Sequence, residues 1–168
     1  MSRQVGASRR IALKLGRALA AKGRAVLVDL GPGPQNWLRD VARFQGDHFV
    51  GLSDALAGAA SFEAALHRDA LSRLDILPAG ESDAAIAEGL DEALVALAES
   101  YDFVVAHVDD WRDEAAGVGA ELIKEMIVVA ASRDLPTALD EARARFGGSS
   151  AVFGCVAADR RARYERAA

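Results

Sequence analysis

Two hydrophobic periods alternate along this chain. Residues 9–22 (RRIALKLGRALAAK) carry Ile11, Leu15, Ala18, Leu19 and Lys22 at helical spacing, and Gly23 ends the run. AVLVDL, 25–30, is a short apolar stretch rich in β-branched residues, which predicts a strand buried on both faces. GPGP, 31–34, must be a loop, since proline fits neither a central strand nor a helix interior. QNWLRDVARF reads as a short helix, and Ser53 and Ser61 read as N-caps of two more. LDILPAG, 74–80, predicts a strand running into a loop. SDAAIAEGLDEALVALAESY, 82–101, is the longest helical pattern. DFVVAHV (102–108), MIVVAA (126–131) and AVFGCVA (151–157) predict further strands. Helices are expected near 114–124 and over PTALDEARARF with Gly147 and Gly148 closing it, and RRARYERAA is a basic terminal helix or tail.

Five short apolar strands separated by helices predict an α/β fold. It is a doubly wound, mostly parallel sheet of about five or six strands with helices on both faces. No internal repeat or low-complexity linker divides the chain, so residues 1–168 are read as one domain. In such sheets ligands bind outside the carboxyl ends of the strands. That directs attention to the loop before the first helix and to the ends of AVLVDL and DFVVAHV.

Composition narrows the functions. Half of the residues are apolar and only 6% aromatic, which suits helices packed closely on a sheet. The formal charge of −5 argues against nucleic acid as a partner. A single cysteine, Cys155, excludes a disulfide framework and a cysteine-based zinc site, and its apolar surroundings predict a buried thiol. No apolar stretch approaches the roughly 18 residues of a membrane span, and the N-terminus does not read as a signal peptide. A cytoplasmic setting is expected, with any contact to the inner face of the membrane made through a partner.

GRAVLVDL, then GLSDALAGAASFEAALHRDALSRLDILPAG, then YDFVVAHVDD together resemble the bacterial tyrosine kinases (BY-kinases) of capsule and exopolysaccharide export. These belong to the deviant-Walker P-loop ATPases, with the septum-site and plasmid-partition ATPases. The resemblance covers roughly residues 5–158, and the GLSDALAG…LDILPAG stretch is its most specific part. It implies a P-loop fold and a nucleotide site, and it lets each position of that site be inspected.

A P-loop needs glycines, a lysine for the β/γ-phosphates and a Ser/Thr hydroxyl for Mg²⁺. The resemblance puts VGASRR, with Gly6, on that loop. Ser8 falls at the lysine and Arg9 and Arg10 at the Ser/Thr pair, or Arg9 at the lysine in a register one residue along. Neither register contains a GK[ST]. Of the acidic pair expected after the second strand, Asp29 remains and Gly31 stands at the other position. His107 occupies the Walker B carboxylate, followed by Asp109 and Asp110, and Ala158 stands where the family reads the purine with Asn. Mg²⁺ prefers carboxylate and water oxygens, so imidazole is a poor substitute. Only MSRQ stands where the family has a strand before its P-loop, so either the domain lacks that strand or the sequence is a truncated form, and the family's C-terminal tyrosine cluster is reduced to Tyr164, a candidate phosphoacceptor.

These departures predict a vestigial nucleotide site with no catalytic residue, metal or cofactor. The plain readings are that Arg9 and Arg10 are solvated charges, that His107 is a structural histidine at a strand end, and that 109–114 is a solvated acidic loop. Trp37 and Trp111 are each core or interface anchor, and Trp111 with Asp109 and Asp110 forms a candidate protein interface. The expected function is a catalytically degenerate BY-kinase-like domain that binds a membrane polysaccharide copolymerase or itself. The alternatives are an unorthodox Mg-ATP-using ATPase or tyrosine autokinase, and a partition- or septum-type positioning protein.

Overall fold

The computed structural model describes residues 3–31, 37, 38, 42, 43, 50–81, 89–110, 122, 124–148 and 151–156. They fall into two compact units, residues 9–122 and residues 1–8 with 123–168. The first holds a five-stranded sheet of β1 (Ala25–Asp29), β2 (Ala42–Arg43), β3 (His67–Asp69), β4 (Asp75–Leu77) and β5 (Phe103–His107), in the order β2-β3-β4-β1-β5. β1 runs parallel to both β4 and β5, while β3 is antiparallel to β4 and β2. Its helices are α1 (Arg3–Ala20), which begins in the other unit, α2 (Leu52–Leu56), α3 (Phe62–Ala65) and α4 (Leu90–Ser100). The second unit pairs β6 (Glu125–Ala130) in parallel with β7 (Ala151–Val156), and α5 (Leu135–Phe146) packs against both with Ala142 and Phe146 buried. The fold is thus α/β, with three of the five strand pairings parallel.

β1 is buried along its whole length because both of its faces are covered. Ala25 and Leu27 face a core completed by Ala12 and Ala20 of α1 with Leu74 and Ile76. Val26 and Val28 face the opposite core, built from Leu52, Ala65, Leu77, Leu90, Ala93, Leu94 and Leu97. Each fully buried Leu or Val contributes roughly 1.5–3 kcal/mol of transfer free energy. The period of two along β1 therefore holds helices on both sides of the sheet.

Several local expectations are corrected. Residues 5–10 are not a loop before the first helix, because α1 already begins at Arg3. In QNWLRDVARF, Trp37 and Leu38 form a turn and Ala42 with Arg43 forms β2, so the expected helix is absent at the described positions. β2 and β3 escape a hydrophobic scan because they are short and polar, held by backbone pairing rather than apolar burial. Ser61 caps α3 by accepting from the Ala64 N–H at 3.1 Å. Ser53, by contrast, lies inside α2, whose N-cap is Gly51. α4 starts at Leu90, after Gly89 in the left-handed region, and residues 82–88 lie outside the description. Cys155 is half-buried rather than buried. The helix expected near 114–124 and the tail RRARYERAA fall almost wholly outside the described residues.

The GLSDALAG and LPAG segments close on one another. The Leu52 and Ser53 N–H groups donate to the Pro78 and Ala79 carbonyls at 2.8 Å each. The Asp54 carboxylate accepts from the Gly51 N–H at 2.9 Å and the Glu81 N–H at 3.1 Å. Gly80 must be glycine, since its φ is +98° and a Cβ there would lie 2.4 Å from Ser53 Oγ and 2.6 Å from Asp54 Oδ2. Gly80→Ala is expected to lower stability by about 2–4 kcal/mol, from backbone strain plus steric conflict, measured by urea unfolding. A change below about 0.5 kcal/mol is what an ordinary surface site gives and would contradict this packing.

A second tie fixes α1 to the antiparallel edge. Arg17 donates to Asp69 through both Nε (3.0 Å) and Nη2 (2.7 Å), and Ser72 Oγ donates to the same carboxylate at 2.6 Å. Burial of Asp69 opposes ionisation. The hydrogen bonds from Arg17 and Ser72, with Arg17's charge, outweigh it and hold the carboxyl below the usual aspartate range. A carboxyl depressed in the folded state stabilises fully above its unfolded pKa of about 3.9 and loses that contribution as pH falls through the folded value. Acid unfolding of wild type should therefore steepen below about pH 4, and Asp69→Asn should be less stable at pH 7 with a flatter acid limb. An unchanged acid limb in Asp69→Asn would contradict this role.

Candidate functional site

The carboxyl ends of β1 and β5 lie side by side, with Asp29 in register opposite His107. Each is the last residue of its strand, and the parallel ladder carries both past the core to the edge where open α/β sheets bind ligands. Asp29 is 3% exposed and His107 4%. His107 Nδ1 lies 3.2 Å from Asp29 Oδ1, which also accepts the Gly31 N–H at 3.2 Å. With Nδ1 carrying the proton, the imidazole donates to the carboxylate and presents Nε2 toward Asp109, whose Oδ1 lies 3.8 Å away.

Arg9 reaches this cluster from α1. Its guanidinium grips Asp109 as a fork, Nε to Oδ1 at 3.2 Å and Nη2 to Oδ2 at 2.6 Å. Arg9 is only 7% exposed. Trp37 covers the pair and the imidazole together. Its ring meets His107 edge to face with centroids 5.3 Å apart, and the Arg9 guanidinium carbon lies 5.7 Å from its centroid. The indole Nε1 is buried without a hydrogen-bond partner among the described residues.

The expected site residues therefore divide. Arg9, Asp29, Gly31, His107 and Asp109 come together, and two plain readings are overturned. Arg9 is a buried ion-pair partner rather than a solvated charge, and Asp109 belongs to the same pair rather than to a solvated loop. Gly6 and Ser8 lie on α1, half-buried, while Arg10 and Asp110 are exposed. Trp111, Ala158 and Tyr164 lie outside the described residues. Trp37 was read only as core or anchor; its contact with Arg9 and His107 joins segments far apart in sequence. A signal for Arg9 did exist, since it extends by one helical step the row Ala12, Gly16, Ala20 that faces the sheet.

Helical backbone at residues 5–10 changes what this edge offers a ligand. In a helix that begins at Arg3, only the first four N–H groups are unbonded, so those from Ala7 onward are committed to carbonyls four residues back. A phosphate cradle needs such groups free. Among the described residues no group of three His, Cys, Asp or Glu side chains is placed to hold a metal ion.

Solved structures share this architecture. The chain superposes on the VpsO kinase domain with a TM-score of 0.69 at 21% identity, over 85% of this chain and 73% of that one. The likeness is one of fold. The kinase domain of the Escherichia coli tyrosine kinase Etk matches with a TM-score of 0.64 at 14% identity, over 87% of this chain and 62% of Etk's. Cobyrinic acid a,c-diamide synthase from Mycobacterium smegmatis, solved with an ATP analogue and magnesium, matches with a TM-score of 0.61 at 21% identity, over 88% of this chain and 65% of that one. The chain thus spans less than two thirds of both the Etk domain and the synthase. No protein-family model and no curated protein matches the sequence.

The cluster is testable by a double-mutant cycle. Arg9→Met alone and Asp109→Asn alone should each cost about 1–3 kcal/mol, because one leaves the half-buried Asp109 and the other the buried Arg9 without its counter-ion. The double variant should cost less than the sum by about 1 kcal/mol or more, read from urea unfolding. Strict additivity would show that the two side chains do not act as a pair.

Proposed function

We propose that this chain is a BY-kinase-like domain that has given up nucleotide chemistry and works by binding protein, in the making or export of an exopolysaccharide. The observation that carries the reading is the buried fork of Arg9 on Asp109, set on a helical stretch where a P-loop would be. The likeness to the VpsO and Etk kinase domains supports the BY-kinase side of it. The donor set does not suit Mg-ATP. Arg9's fork is held by a carboxylate, Asp29's Oδ1 faces His107 and Gly31, and His107 supplies nitrogen where Mg²⁺ calls for oxygen. No cofactor is assigned to the site, and no catalytic step is drawn through it.

The proposed setting is the cytoplasm, at the inner face of the membrane through a polysaccharide copolymerase, or through self-association. No helix among the described residues is long and apolar enough to cross a membrane. The partner surface proposed is the strand-end edge with the exposed Arg10 and Asp110. Arg9 lies beneath that edge, so its reversal would disturb the cluster before any contact.

Isothermal titration with Mg-ATP should show no saturable binding below millimolar concentration. His107→Asp should leave ATP hydrolysis at background, since one restored carboxylate supplies neither the lysine nor the Mg²⁺ hydroxyl with which it would have to act. Micromolar affinity in the wild type, or turnover in His107→Asp alone, would overturn the reading and favour the unorthodox ATPase.

A further inference from the structure

Charge is unevenly distributed along the chain. Residues 1–28 hold seven Lys and Arg and no Asp or Glu, whereas residues 74–111 hold ten Asp and Glu and no Lys or Arg. The first block supplies α1 and the second α4, so each helix turns a face of one sign to solvent. The two helices cover opposite faces of the sheet. Ala12 and Ala20 of α1 join the core of Ala25 and Leu27, and Ala93, Leu94 and Leu97 of α4 join that of Val26 and Val28. Their outer faces therefore point in opposite directions.

The outer rows of the two helices match. Residues four apart lie one above another on a helix, and Lys14, Ala18 and Lys22 form such a row. All three are exposed, and Lys22 sits in the turn that closes α1, its N–H on the Leu19 carbonyl at 2.8 Å. On α4 the corresponding row is Asp91, Val95 and Glu99, also exposed, with Val95 at 41%. Each row thus sets two like charges eight residues apart, about 12 Å at the helical rise, with an apolar residue midway. Laid together, two cations meet two carboxylates, and Val95 rests on Ala18, whose small side chain lets the helices approach. Among the described residues Lys14, Lys22, Asp91 and Glu99 make no ion pair within the chain, whereas Arg9 and Arg17 of α1 are held by Asp109 and Asp69.

We infer that the outer row of α1 is a docking surface for the outer row of α4 on a second copy of this chain. A second copy is the occupant because the chain itself carries the row of opposite charge at the same spacing. The two faces lie on opposite sides of the sheet, so one neighbour cannot cover both. The contact is head-to-tail, and a copy bound through α1 still offers α4 to the next. Exposed ion pairs contribute little individually, so the association is weak and salt weakens it further. This surface shares no residue with the strand-end edge proposed above, and it does not depend on loss of nucleotide.

Sedimentation equilibrium of the full 168-residue chain tests this. At low ionic strength the average mass should rise above the 17.7 kDa of the monomer as protein approaches millimolar concentration. In about 0.5 M salt, where charges are screened within a few ångströms, it should fall back. Lys14→Gln with Lys22→Gln removes the cations of one face, and Asp91→Asn with Glu99→Gln removes the carboxylates of the other. All four sites are exposed, so both variants should stay folded, which melting curves check. Each variant alone should associate about tenfold more weakly or less still. Mixed one to one, the two should pair with wild-type affinity and stop at a heterodimer, since each keeps one intact face. A monomeric wild type at low salt, association that ignores salt, undiminished association in either variant, or a mixture that does not pair overturns the proposal. Undiminished association in both variants would assign self-association to the strand-end edge instead, and none of these results bears on the Mg-ATP titration.

Discussion

A carboxylate at the end of a fully buried strand has to be compensated where it stands. Asp29 closes β1, the strand with both faces under helices, and its Oδ1 is met by the His107 imidazole and the Gly31 N–H. That pairing sets the ends of β1 and β5 level, and it brings the start of the loop after β5 over the same spot. Asp109 follows on that loop and would be a second half-buried negative charge beside the first. Arg9 answers it with a guanidinium fork, and Trp37 covers both the fork and the imidazole. Charge compensation at one edge thus joins α1, β1, β5 and the turn at Trp37. Arg9, Asp29, His107 and Asp109 are occupied with one another.

The other conspicuous segments serve the fold. GLSDALAG and LPAG, which carry much of the likeness to BY-kinases, lock together through paired backbone hydrogen bonds and the doubly used carboxylate of Asp54. Arg17 and Asp69 fasten α1 to the antiparallel edge in a similar way. None of these contacts involves Arg9, Asp29, His107 or Asp109, so a chain can keep this architecture while the chemistry at the strand ends changes. The strand-end cluster is thus one tie among several, and the others do not depend on it.

Much of this was legible in the sequence because burial writes a pattern. AVLVDL, LDIL, DFVVAHV, MIVVAA and AVFGCV each lie on a parallel strand, and apolar runs of that length have few other uses. β2 and β3 were illegible because backbone pairing at an edge leaves no hydrophobic trace in Ala42–Arg43 or His67–Asp69. The start of α1 was not legible because the resemblance sets VGASRR on a phosphate loop, whereas the helix extends through it to Arg3. At the site, His107 and Asp29 were identified by position. The pairing of Arg9 with Asp109 was not, because it joins residues 100 apart and charge alone does not name its partner. The same gap explains why Arg9 was read as solvated.

The central claim is that Arg9 is held by Asp109 and is not available to phosphate. The side-chain Nε–H of Arg9 reports this directly by NMR, in protein labelled with ¹⁵N and assigned through Arg9→Lys. Held in the fork, that proton should exchange slowly with water, keep its shift as Mg-ATP is raised into the millimolar range, and be released in Asp109→Asn. A resonance that exchanges quickly in the wild type, or that moves in a saturable way with Mg-ATP, would contradict the account.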